Sequence, residues 1–206
     1  MTYTEERSKM NKEKKVLLTP NQLSMIRILM IPLFCVFFYV TAIPYNYFWS
    51  AVVFTVAALT DFLDGYVARK YNLVTDLGKF LDAIADKVLV LTAFVLMLTV
   101  NGMYGKYVWI GGVGVAIILA RELIVSCFRM IAAKKGLVIA ADMIGKIKTN
   151  FQDFAIVFLL VSVNFFGLTK VSEVLHIIGF VLFVIAVIMT VISGVSYFVK
   201  NKGVLR

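Results

Sequence analysis

The sequence predicts an all-α membrane protein: a bundle of six transmembrane helices with both termini on the cytoplasmic side. Three observations predict it. Of the 206 residues 61% are hydrophobic, with a mean hydropathy of +0.92, whereas a soluble domain is about 45–50% apolar. The excess is gathered into long blocks such as Ile110–Ala120 and Ile177–Val195, and about 20 apolar residues are what a bilayer's hydrocarbon demands of a helix. The basic residues flank these blocks, as they do beside anionic lipid headgroups.

The elements follow in order. Residues 1–18 form a polar, basic segment with no apolar stretch of the kind a cleavable signal needs, so the N-terminus is expected to stay in the cytoplasm. Residues 19–206 form the six-helix membrane domain. Thr19-Pro20-Asn21 is a helix start, a capping hydroxyl followed by proline in the first turn. The first span runs over 21–41, and Ala42-Ile43-Pro44-Tyr45-Asn46 turns the chain. The second runs over 47–69, followed by a polar connection at 70–78. The third covers 79–100 and closes at Asn101-Gly102. The fourth covers 107–133. A polar connection containing Gly136 leads to the fifth, 143–166, which Gly167 ends. The sixth covers 171–199. There is no internal repeat.

Six spans put both termini on one side, and charge tests the assignment. With the N-terminus inside, sixteen of the 21 basic residues fall in cytoplasmic segments, and the outer loops hold only Lys106 and Lys170. That asymmetry is the positive-inside pattern. It also accounts for the net charge of +9 without nucleic acid, because the cations line no polar surface. Arg27, Lys87 and Arg121 remain within spans. Cys35 and Cys127 fall at different depths by this segment assignment, which argues against a disulfide between them. The only histidine, His176, lies near a helix start on the outer side, where a structural role is expected.

The chemistry concentrates in Asp61-Phe-Leu-Asp64-Gly65-Tyr-Val-Ala68-Arg69 and Gly78-Lys-Phe-Leu-Asp82-Ala-Ile-Ala-Asp86. Each carboxylate inside an apolar span costs about 2.5–3.5 kcal/mol on insertion scales, and nothing structural requires that cost four times. Asp61 and Asp64 share one helix face by their three-residue spacing; Asp82 and Asp86 share another by four. An antiparallel pair of helices would bring all four together near the cytoplasmic interface. Their mutual repulsion is relieved by divalent cations, and all-oxygen ligation favours Mg²⁺, Mn²⁺ or Ca²⁺ over zinc. Gly65 and Ala68 continue the carboxylate stripe without bulk, Gly78 opens the partner helix similarly, and Arg69 adds a planar cation suited to phosphate. Metal, phosphate and room for a flat base together indicate a nucleotide diphosphate. A cation-coupled transporter also buries carboxylates, but near the midplane and within repeated halves; here the carboxylates are near one face and no repeat is present.

This segment resembles the signature of the CDP-alcohol phosphotransferase family, D-x-x-D-G-x-x-A-R, eight residues, then G-x-x-x-D-x-x-x-D. Asp61, Asp64, Gly65, Ala68, Arg69, Gly78, Asp82 and Asp86 match every fixed position. The resemblance implies a binuclear Mg²⁺ or Mn²⁺ site held by Asp61, Asp64 and Asp82. It implies that Asp86 is the general base with Asp82 close to both tasks, that Gly65, Ala68, Arg69 and Gly78 receive the CDP-lipid, and that the enzyme is a homodimer.

A second constellation concerns the acceptor alcohol. Arg121 lies within the fourth span and requires an anionic partner. Glu122 projects about 100° away from it on an ideal helix, which makes it a poor one. Lys146 and Lys148, at the start of the fifth span, complete an anion pocket with Arg121, one that suits an alcohol carrying its own phosphate. Pro20-Asn21-Gln-Leu-Ser-Met-Ile-Arg27, Arg121-Glu122 and Gly145-Lys-Ile-Lys-Thr149 resemble the bacterial members of the family that join CDP-diacylglycerol to glycerol 3-phosphate. That resemblance implies a multi-pass plasma-membrane enzyme with its site facing the cytoplasm. Serine, inositol phosphate and phosphatidylglycerol remain alternative acceptors.

Overall fold

The computed structural model describes residues 20–71, 76–105, 108–135, 143–163 and 166–201, with the side chains of these except 20–24, 61–71, 76–83 and 86. The described residues form six α-helices and no strand: α1 (Pro20–Tyr39), α2 (Asn46–Tyr71), α3 (Asp76–Met97), α4 (Val108–Lys134), α5 (Met143–Ser162) and α6 (Thr169–Lys200). Each coincides with one predicted span. Thr19, the basic segment 1–18 and Gly136 lie outside the described residues.

The differences are at the ends. Helix α2 continues to Tyr71 and α3 starts at Asp76, so the two helices take up most of the connection expected over 70–78. Helix α3 stops at Met97 rather than 100. Beyond it Leu98, Thr99 and Val100 donate to carbonyls three residues back, at 3.2, 2.9 and 3.3 Å; the chain stays apolar there while the backbone tightens into turns. Helix α5 ends at Ser162, four residues early, ahead of Phe166 and Gly167, both at positive φ.

Helix α1 packs on α2 and α3, α2 also on α5, α4 on α6, and α5 along α6. The last pair approaches closely at Gly179, where a Cβ would stand 2.9 Å from the backbone nitrogen of Leu159. Phe34, Phe38, Phe54, Phe94 and Phe183 fill the core.

The bundle is apolar on its outside as well as in its core, and it encloses a few polar groups. Leu29, Trp109, Met130 and Ile177 are 62–68% exposed on the outside, whereas Arg27, Lys148 and Gln152 are 1–3% exposed within. A bundle wetted by hydrocarbon is arranged this way, since polar groups must find partners inside it. Helices α4 and α6 are long and apolar enough to cross a membrane, and only 28% and 22% of their most apolar windows are buried. Among the residues whose side chains are described, α1, α2 and α3 carry apolar stretches over Met25–Tyr39, Asn46–Thr60 and Lys87–Met97.

At the end of the bundle away from the aspartates, His176 Nε2 lies 2.9 Å from the Gly102 carbonyl and 3.2 Å from that of Met103. It ties α6 to the α3–α4 turn, the structural role expected of it. Tyr45 and Phe166, both at positive φ, hold the α1–α2 and α5–α6 turns together with ring centroids 4.7 Å apart. Cys35 and Cys127 are free thiols.

Candidate active site

The aspartate segments fall on unbroken helix. Asp61, Asp64, Gly65, Ala68 and Arg69 are in the last part of α2, and Gly78, Asp82 and Asp86 in the first part of α3. The three- and four-residue spacings are therefore real helical spacings, and α2 contacts α3. The side chains of these eight residues lie outside the described ones. Among the described residues no group of three or more metal-binding side chains occurs. The donor set of the two segments, four carboxylates on two adjoining helices, is one that hard divalent cations accept.

Directly after Asp86, the described side chains form a polar network through the bundle. Lys87 on α3 donates to Ser126 Oγ on α4 at 2.6 Å, and Ser126 bonds to the carbonyl of Glu122 one turn earlier. Glu122 Oε1 accepts from Arg121 Nη1 at 3.1 Å and also from Lys148 Nζ on α5. Arg121 Nη2 reaches Ser193 Oγ on α6 at 2.7 Å. Lys87, Glu122, Lys148, Thr149 and Gln152 line a small cavity shared by α3, α4 and α5. Lys148 is 3% exposed, and the side chains of Arg121 and Glu122 are each 13% exposed.

Small residues make the space for the guanidinium. A Cβ on Gly194 would stand 3.3 Å from Arg121 Cγ, and one on Gly145 about 4.0 Å from Nη2. Arg121 Nε is buried and bonded to none of the described residues, so it retains a donor.

Two expectations change. Glu122 is a partner of Arg121 after all. The 100° between adjacent helix positions describes the Cα–Cβ directions, and two long side chains bend back across it when a third group, Lys148, draws the carboxylate inward. Lys146 does not join the cluster: it is exposed, because two residues along a helix is roughly 200° of rotation from buried Lys148. The sequence reading missed Lys87, Ser126 and Ser193. A lysine inside an apolar span was the signal for Lys87, and Ser126 sits one turn from Glu122 on the same face. Nothing in sequence ties Ser193 to Arg121, 72 residues away.

A separate groove opens sideways between α2 and α5. It is lined by Phe54, Thr55, Ala58, Leu59, Asn150, Asp153, Phe154 and Val157. Ala58 precedes Asp61 by one helical turn.

The family model for CDP-alcohol phosphatidyltransferases matches residues 17–202. A Bacillus subtilis (strain 168) protein described as CDP-diacylglycerol–glycerol-3-phosphate 3-phosphatidyltransferase is 35% identical over 198 residues, covering 91% of this chain and 96% of its own. Proteins of the same description from Rickettsia bellii (strain RML369-C) and Shigella flexneri serotype 5b (strain 8401) are both 36% identical. They cover 89% and 86% of this chain and 94% and 91% of theirs.

Proposed function

The chain belongs to the CDP-alcohol phosphatidyltransferase family, and from that membership we propose that it transfers the phosphatidyl group of CDP-diacylglycerol to glycerol 3-phosphate, yielding phosphatidylglycerophosphate and CMP. The observation that carries the choice of acceptor is the cluster of buried Lys148 with half-buried Arg121 and Lys87, beside the aspartate-bearing part of α3. Cations gathered inside a helical bundle suit an anionic ligand, and the phosphate of the acceptor is one. The relatives' shared description supports the same acceptor.

Asp61, Asp64 and Asp82 would hold two Mg²⁺ or Mn²⁺ ions, with Asp86 beside them. Such ions, when bound, neutralise charge on the diphosphate and on departing CMP. Arg69 binds the diphosphate, while Gly65, Ala68 and Gly78 leave room for the nucleotide. Arg121 and Lys148 hold the acceptor phosphate and fix its hydroxyl toward the aspartates. Asp86 takes the hydroxyl proton. The oxygen forms a bond to the phosphorus that carries diacylglycerol, the bond from that phosphorus to the bridging oxygen breaks, and CMP leaves. Positioning and charge stabilisation are the main tasks of phosphoryl transfer. The apolar groove between α2 and α5 offers a path for an acyl chain from the membrane toward Asp61.

All six helices span the bacterial plasma membrane in this reading, with both termini and the aspartates on the cytoplasmic side, and the enzyme is a homodimer. Purified protein in detergent–lipid micelles is given CDP-diacylglycerol with glycerol 3-phosphate, serine, inositol phosphate or phosphatidylglycerol, and CMP release is measured. Release dependent on glycerol 3-phosphate is expected. Release with another acceptor and none with glycerol 3-phosphate would overturn the assignment.

A further inference from the structure

We infer that Glu122 is a positioning residue of the acceptor pocket: its one carboxylate oxygen fixes both Arg121 and Lys148 and so sets where the acceptor's phosphate is held. The inference rests on the proposed reaction. A carboxylate in a site for an anion looks counterproductive, since it repels the ligand. Its geometry explains it. Arg121 and Lys148 come from different helices, α4 and α5, and Glu122 Oε1 receives a hydrogen bond from each. Without that oxygen the two cations would lose the acceptor they share and would repel one another. With it, the two are locked while the site is empty, and Arg121 still holds its buried Nε free for a ligand.

Among the described residues, Glu122 joins cations from two helices, and Ser126 links the same turn of α4 to Lys87 on α3. Glu122 thus sets the geometry of the pocket without touching the reacting atoms.

The test is steady-state kinetics of Glu122→Gln, Glu122→Asp and the double variant Glu122→Gln/Lys148→Met in the full-length protein. Glu122→Gln is expected to raise KM for glycerol 3-phosphate by about tenfold or more, the scale of breaking a buried charged hydrogen bond, with KM for CDP-diacylglycerol within about twofold. Glu122→Asp, which keeps the charge, is expected to recover part of that loss. The double variant should cost less than the product of its single changes, because Lys148 is what Glu122 positions. An unchanged or lowered KM for glycerol 3-phosphate in folded Glu122→Gln would overturn the inference. So would a fall in kcat and rise in both KM values together with lost thermal stability, the mark of a merely structural role. If Glu122→Gln does not fold, Glu122→Asp carries the test: retracting the carboxylate by one methylene must raise KM for glycerol 3-phosphate alone. A wild type that ignores glycerol 3-phosphate defeats the proposed reaction itself, before any variant is made.

Discussion

Replacing Arg121 by alanine tests the acceptor pocket at its centre. The guanidinium offers five N–H donors. Two are engaged, by Glu122 Oε1 at 3.1 Å and Ser193 Oγ at 2.7 Å, and Nε is buried without a described partner. A phosphate in the pocket can therefore accept from Nε and from an outer N–H of the same planar fork. Each hydrogen bond to a charged group contributes about 1.5–3 kcal/mol, so losing two removes roughly 3–6 kcal/mol. Part of that is recovered because Lys148 is released from sharing Glu122. A net loss of about 3–4 kcal/mol corresponds to a rise of about 10²–10³-fold in KM for glycerol 3-phosphate. KM for CDP-diacylglycerol should stay within about threefold, since the aspartate segments are on α2 and α3 and Arg121 is on α4. Arg121→Lys should recover only part, because an ammonium cannot copy the fork. The assay is CMP release with each substrate varied in turn, with CDP-diacylglycerol binding as the control for folding. A folded Arg121→Ala variant with unchanged KM for glycerol 3-phosphate would refute the pocket while leaving the aspartate site untouched.

Chelation with EDTA should abolish activity, and Mg²⁺ or Mn²⁺ should restore it; full turnover after exhaustive chelation would rule out a metal-dependent reaction. Asp61→Asn and Asp64→Asn should weaken metal and CDP-lipid binding together, whereas Asp86→Asn should bind and not turn over. Near-normal turnover in metal-loaded Asp86→Asn would remove it as the base. Gly179→Ala should lower the stability of the bundle by about 1–3 kcal/mol, the usual cost of overpacking, since its Cβ would meet the backbone nitrogen of Leu159 at 2.9 Å. Thermal unfolding in detergent measures this, and an unshifted midpoint would show that α5 and α6 part without cost.

The helices were legible in the sequence because a membrane protein writes its segments in one variable. Apolar blocks broken by Asn101-Gly102 or Phe166-Gly167 located α3 to α6 to within a turn or so. Misplaced ends have local causes that hydropathy does not carry, such as the three-residue hydrogen bonds after Met97. The aspartates were legible for another reason: fixed spacing on a helix is a sequence property. The acceptor cluster was only half legible. Arg121 stood out as a cation within a span and Lys148 as one of two lysines at the start of the next, yet the oxygen joining them belongs to Glu122, which helical geometry alone assigns to another direction. Pairings such as Lys87 with Ser126 or Arg121 with Ser193 depend on which helices pack together, and no periodicity within one segment encodes that.

The buried charges also explain how the two halves of the site are coupled. Asp86 and Lys87 are adjacent in α3. Lys87 reaches Ser126 on α4, and Ser126 bonds to the carbonyl of the residue whose side chain holds Arg121 and Lys148. A single helical turn of α4, Glu122 to Ser126, therefore joins the helix of the proposed base to the cations proposed to hold the acceptor. A rigid link of this kind matters because bound substrates react only when the attacking oxygen is held within a few tenths of an ångström of its position. Where a partner is buried, as Lys148 is at 3% exposure, water does not readily replace a lost hydrogen bond, so the bond resists opening more strongly than one on a protein's surface. The same energetics that make a buried charge costly thus make it dependable once paired, which is what holding an acceptor in the proposed reaction requires.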